Sequence, residues 1–201
     1  MYDTLDKCGA FESVKNKLYY DMEIEPIYLV GEFAVHSSEE FVPCEGDGYK
    51  TFGKFSLTKR PFHINDGDIA PQGFPFFCGS MTLKKTFNIS SDEISGKSIE
   101  FSRLPSVVTK IKVNGKEVPP MYWAPYTINL DGLLKEGENK IEIELITSFQ
   151  NMLGTHHLGC NPKCSSPSHF HSKRSRIWGN KNNDRWDEES YSFSGIGIFL
   201  K

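Results

Sequence analysis

No run of eighteen or more apolar residues occurs in the sequence. A helix needs roughly that many to cross a bilayer, so no transmembrane helix is expected. The opening stretch, MYDTLDKCGAFESVKNK, lacks the basic start and apolar segment of a secretory signal. Cysteine is sparse and odd in number: Cys8, Cys44, Cys78, Cys160 and Cys164. Their scattered spacing in a chain this long does not read as a disulfide framework. Mostly free thiols are expected, and with them a cytoplasmic location, with an extracellular one left open should the chain be a fragment. Positive charge is not in excess either, since 23 Lys and Arg stand against 26 Asp and Glu, a formal net charge of −3. Nucleic acid and anionic membrane both demand a basic surface, so neither is an expected partner. The short run Lys173-Arg174-Ser175-Arg176 is offset by Asp184, Asp187, Glu188 and Glu189. There is no internal repeat and no low-complexity tract.

Aromatic residues are plentiful: 13% of the chain, with 15 Phe and 8 Tyr. Large flat side chains suit a pleated, half-buried surface, so this content favours β structure. Two kinds of pattern divide the chain. Over residues 1–25, Leu5, Cys8, Phe11, Val14 and Leu18 recur every three or four positions, which predicts a short helix or linker; Gly9 weakens it by roughly 1 kcal/mol relative to Ala. From residue 26 to 201 the period is two. Ile27-Tyr28-Leu29-Val30 is a continuous apolar run, predicting a strand buried on both faces, continued by Phe33 and Val35. Ile111 and Val113 alternate with Lys110 and Lys112; Tyr126, Ile128 and Leu130 with Thr127 and Asn129; Ile141, Ile143 and Leu145 with Lys140, Glu142 and Glu144. Asn114-Gly115 between two such runs predicts a tight hairpin, because both central residues of a type I′ turn need positive φ. Many short strands with one polar face imply an antiparallel sandwich or barrel. Residues 150–192 read as one long irregular loop, long enough to be a functional segment.

An ordered set of motifs carries a resemblance. Gly79-Ser80-Met81-Thr82-Leu83-Lys84-Lys85-Thr86-Phe87 precedes Val113-Asn114-Gly115-Lys116. A segment from Pro125-Tyr126 through Asn129-Leu130-Asp131-Gly132-Leu133-Leu134 to Gly137-Glu138-Asn139 follows, and then an alternating strand. This order resembles the sugar-binding jelly-roll domain of glycoside hydrolase family 2, well over residues 76–150 and loosely over 195–200. Asn151-Met152-Leu153-Gly154-Thr155-His156-His157 also resembles a segment of galactose-binding-like domains attached to large bacterial glycosidases. The fold so implied is an all-β, antiparallel jelly-roll β-sandwich, galactose-binding-domain-like, with a short N-terminal helix. In that family the catalytic carboxylates stand on a separate β/α barrel, and glycoside hydrolysis needs two carboxyls across the scissile bond. No barrel can be fitted to this sequence. The resemblance therefore implies an accessory, non-catalytic domain whose partners are carbohydrate and the other domains of a parent polypeptide. The alternative is a domain that braces a catalytic barrel and binds no sugar.

Candidate site residues follow from chemistry. Pyranose rings present apolar C–H faces to aromatic rings while amides and charges take the hydroxyls. Tyr122 and Trp123 follow Pro119-Pro120, and Trp178 and Trp186 stand among Asn180, Asn182, Asn183 and Arg185; with His156 and His157 these are the carbohydrate-binding candidates. Cys160, Cys164, His169 and His171 offer four ligands soft enough for zinc, although the spacing is not that of a standard finger. Asp66 and Asp68, in Asn65-Asp66-Gly67-Asp68, offer hard oxygens to a structural calcium. Calcium is the stronger of the two metal readings.

Overall fold

The computed structural model describes residues 27–44, 47–154, 156–157, 187 and 189–201. The chain divides into two units, Met1–Gly31 and Glu32–Lys201. The expected N-terminal helix lies outside the described residues. Residues 27–30 form no strand, and Ile27, Leu29 and Val30 are exposed, so the apolar run there is not the buried strand its composition predicts.

Within Glu32–Lys201 the strands are β1 (Phe33–Ser37), β2 (Val42–Pro43), β3 (Gly48–Thr51), β4 (Phe55–Lys59), β5 (Gly67–Asp68), β6 (Ser80–Ile89), β7 (Ser98–Arg103), β8 (Val108–Val113), β9 (Lys116–Met121), β10 (Thr127–Asn129), β11 (Gly137–Ile146), β12 (Tyr191–Ser194) and β13 (Gly197–Leu200). A single turn of helix, α1 (Gln150–Leu153), follows β11. Every pairing among them is antiparallel. One sheet runs β6-β11-β8-β9 and a second β10-β7-β13-β5; a ribbon β1-β4 and a small sheet β12-β3-β2 complete the unit. The protein is an all-β antiparallel sandwich.

Its core lies between the two four-stranded sheets. Ile111, Val113, Ile141, Ile143 and Leu145 from one meet Phe101, Ile128 and the half-buried Ile198 from the other. Each large aliphatic group so buried contributes about 1.5–3 kcal/mol relative to exposure. The opposite face of the first sheet is a ladder of ion pairs, Lys84–Glu142, Lys140–Glu142, Lys110–Glu144 and Lys112–Glu117. Asn114 and Gly115 take φ of 51° and 80°, as the hairpin requires. Asn139 is fully buried beneath that hairpin. Its side-chain nitrogen donates to the carbonyls of Lys135 (2.7 Å) and Gly137 (2.9 Å), and its oxygen accepts from Lys135 N–H and the Asn114 amide. One side chain thus ties the 131–137 turn to the β8–β9 hairpin.

A second cluster is aromatic. Phe55, Phe76, Tyr191 and Phe193 meet edge to face, with centroids 4.9–5.1 Å apart for Phe76–Phe193 and Phe55–Tyr191. They join the β1-β4 ribbon to β12. Cys44 is engaged in a disulfide, against the expectation of free thiols at that position. Cys78 is a free thiol and donates to the Met152 sulfur.

Candidate functional site

The loop that carries Tyr122 and Trp123 crosses from the edge of one sheet to the edge of the other. β9 is an edge strand, which is where consecutive prolines are tolerated, because an edge can do without their amide hydrogens. Pro119 and Pro120 fall at a register shift: Ile111 pairs Val118, but Thr109 pairs Met121. The extra residue bends β9 away, the chain turns through a cis Ala124–Pro125 peptide, and β10 begins at Thr127. Tyr126 packs on the core and its carbonyl accepts Phe101 N–H, anchoring the far end. Tyr122 and Trp123 are left 55% and 75% exposed. Their rings lie 5.7 Å apart at 37°, a shallow V. Beside them opens a cavity of about 470 Å³ whose floor and wall include Pro120, Met121, Thr127 and Asn129. Asn129, also on the lining, accepts Asp131 N–H through its Oδ1 (2.9 Å).

His156 and His157 do different work. The His156 ring packs against Phe76 and Phe193, and its Nδ1 meets the Ser192 carbonyl at 3.2 Å. His157 Nδ1 lies 2.8 Å from the Ser190 carbonyl and 2.9 Å from that of Asp187. A carbonyl only accepts, so each Nδ1 carries the proton. Burial holds the His156 pKa below its ordinary value, with the Ser192 hydrogen bond opposing and the neighbouring His157 adding to the shift. The backbone repeats the pattern: Ser192 N–H donates to His156 O (2.7 Å) and Asp187 N–H to His157 O (2.8 Å). The pair fastens the segment that follows α1 to the start of β12 and the residues just before it.

Asp66 and Asp68 are not brought together as a cation site. Asp68 turns inward, 4% exposed, and accepts Ala70 N–H (2.9 Å) and Ile196 N–H (3.2 Å). Burial raises its pKa to about 6, against the two N–H bonds and the nearby Arg103, and with Asp47 adding to the rise. Asp66 Oδ1 instead accepts Leu200 N–H (3.0 Å). Among the described residues no group of three or more His, Cys, Asp or Glu is placed to hold a metal ion. Trp178, Trp186, Cys160, Cys164, His169 and His171 lie outside the described residues.

Sequence reasoning missed the cluster around Asp68. Arg103 pairs with Asp47 and stacks on Phe199, 3.9 Å from the ring centre to the guanidinium carbon. Gly195 leaves room for this, since a Cβ there would sit 2.8 Å from Asp68 Oδ2. Asn151 was also missed as a strand clamp: its amide donates to Ser194 O and accepts Ser194 N–H (2.8 and 2.9 Å). The Ser194-Gly195-Ile196-Gly197 string is the signal that was available for both, because glycines flanking an apolar residue mark close backbone approach.

No family model matches the chain. It is 29% identical over 131 residues to a protein of Formosa agariphila described as "Putative beta-glucuronidase". The match takes in 64% of this chain and 10% of that protein, so the chain spans a small part of the relative's length. Among solved structures it is similar to a rhamnosidase from Novosphingobium sp. PP1Y, with 17% identity, a TM-score of 0.38, and 66% of this chain and 12% of that one covered. A beta-D-glucuronidase of Dictyoglomus thermophilum gives 19% identity and a TM-score of 0.31 over 59% of this chain and 19% of that one. The fold assignment rests on the chain's own strands.

Proposed function

We propose that this chain is a non-catalytic carbohydrate-binding β-sandwich of a larger bacterial glycoside hydrolase, with Tyr122 and Trp123 as its sugar platform. The observation that carries the reading is the exposed V of those two rings beside a cavity lined also by Thr127 and Asn129. Leaving a Trp three-quarters exposed forgoes hydrophobic stabilisation; covering about 100 Å² of it returns roughly 2.5 kcal/mol at ~25 cal/mol per Å². A sugar ring does this with its C–H face while Thr127 and Asn129 take hydroxyls. The similarity to one-tenth of a protein described as a glucuronidase supports a role as one domain among several. Carbohydrate and the neighbouring domains of the parent polypeptide are then its partners.

The test is tryptophan fluorescence and calorimetric titration of the full chain against a glycan panel. Saturable binding that is lost in Trp123→Ala, with the β-sheet circular dichroism retained, supports the reading. Absence of binding to every glycan refutes it. A second reading, bracing of a catalytic barrel, is favoured by one observation: Leu57 and Phe62 stand exposed at and beyond the β4 end of the ribbon. That reading predicts no glycan binding, and loss of association with the parent's other domains in Leu57→Ser.

A further inference from the structure

Two aromatic rings on one loop can serve a sugar in two ways. They can grip one unit from both faces, or each can carry a unit of its own. The geometry at Tyr122 and Trp123 decides between them. A pyranose held between two rings needs van der Waals contact on both faces, about 3.5–4 Å on each side, so the ring centres must stand at least about 7–8 Å apart. Those of Tyr122 and Trp123 are 5.7 Å apart, with their planes tilted by 37°. One unit does not fit between them. Both rings are nonetheless more than half exposed, so each has apolar surface to offer separately.

The polar wall has the same two-part layout. Thr127 and Asn129 are exposed and Ile128 between them is buried, so the two polar residues stand on one side of β10. Two residues of strand advance about 6.6 Å, close to the spacing of the rings. Both residues line the cavity together with Tyr122 and Trp123. Its volume of about 470 Å³ lies in the range of sites that bury ligands larger than a single pyranose. These features serve neutral and acidic sugars alike.

We infer that the Tyr122–Trp123 site holds two successive units of an oligosaccharide, one on each ring, and so selects glycan chains over single sugars. This rests on the carbohydrate-binding reading above and goes beyond it in naming the length of the ligand. The second contact forms within a ligand already docked by the first, so it loses little further translational freedom. Affinity should rise at least about tenfold from monosaccharide to disaccharide, equivalent to about 1.4 kcal/mol, and less than about threefold on further extension.

The experiment titrates the full chain by NMR with xylose, xylobiose and xylohexaose, and with the corresponding manno- and galacturono-series. Three results together establish the inference: a rise of at least about tenfold from one unit to two in any series, a plateau by the hexamer, and a disaccharide that falls to the monosaccharide level in Tyr122→Ala but not in Tyr122→Phe. A monosaccharide that binds within about threefold of its own dimer and hexamer, with binding lost in Trp123→Ala, overturns it while the carbohydrate-binding reading survives. So does an affinity that keeps climbing from dimer to hexamer, or a length dependence that Tyr122→Ala leaves unchanged. Binding in none of the three series overturns both.

Discussion

Replacing Asp68 by Asn should change the pH dependence of stability in a way that locates a buried charge. The carboxyl sits beneath the start of β13, nearly solvent-free, with its pKa raised from 3.8 to about 6, chiefly by burial. A shift of about 2 units corresponds to about 3 kcal/mol. Because the folded chain holds this proton more tightly than the unfolded chain, the native state binds more protons between pH 3.8 and about 6. Stability from this group is therefore greatest below 3.8, falls as pH rises through that window, and is lower by the full amount above it. The charged groups facing it are Arg103 and Asp47, which act in opposite senses. His156 runs the other way: its lowered pKa costs stability as pH falls below its ordinary value of 6.5. Wild-type data alone would blend the two. Urea denaturation of wild type and Asp68→Asn from about pH 4 to pH 7.5 separates them, because the His156 contribution cancels in the difference. At the acid end the wild type should be the more stable, since Asn cannot accept both the Ala70 and Ile196 N–H bonds without turning its own donor toward one of them. By neutral pH that advantage should shrink by about 3 kcal/mol and can reverse. Parallel pH profiles for the two proteins would refute the placement of Asp68 as a buried, destabilised carboxylate.

Three further substitutions test other parts of the structure. Asn139→Ala should lower unfolding stability by about 2–4 kcal/mol in urea melts, because it strands the part-buried Lys135 N–H and the Lys135 and Gly137 carbonyls; Asn139→Asp should not rescue it, since the carboxylate has no N–H to give. Gly197→Ala should cost about 2 kcal/mol or more, because the new methyl would overlap the Gly67 carbonyl across the β13–β5 pair, and amide exchange should speed up in both strands. Trp123→Ala should leave the melting temperature within about the shift expected of an exposed position, roughly 0.5 kcal/mol in stability, while abolishing glycan-induced fluorescence change.

The parts of the fold that were legible in the sequence are those in which one residue's environment is set by its near neighbours. β8, β10 and β11 show strict alternation because each has one face in the core and one in water. Asn114-Gly115 was legible because its φ requirement is local. The strands built on distant partners were not. β3, Gly48–Thr51, is too short to show an alternation, and its partner β12, more than a hundred residues away, begins at Tyr191 inside the 150–192 stretch that reads as the long loop. Apolarity misled at 27–30, since a run of Ile, Tyr, Leu and Val carries the same signature whether or not a sheet is there to receive it. In the candidate site, Tyr122 and Trp123 were visible because they are adjacent aromatics in a loop that follows Pro119-Pro120. The jobs of His156, His157 and Asp68 were not visible, because their partners are backbone groups, and no side-chain pattern encodes a carbonyl.

The proline pair of β9 has a consequence for the protein in concentrated solution. An open sheet edge recruits strands from other molecules through its unpaired amide hydrogens. Two successive residues of this edge have none to offer, and the register shift beside them skews the remaining ones. The chain can therefore display a bare tryptophan at the border of a sheet without inviting a second copy to stack there, so self-association through this edge should stay weak even where the aromatic surface is unoccupied.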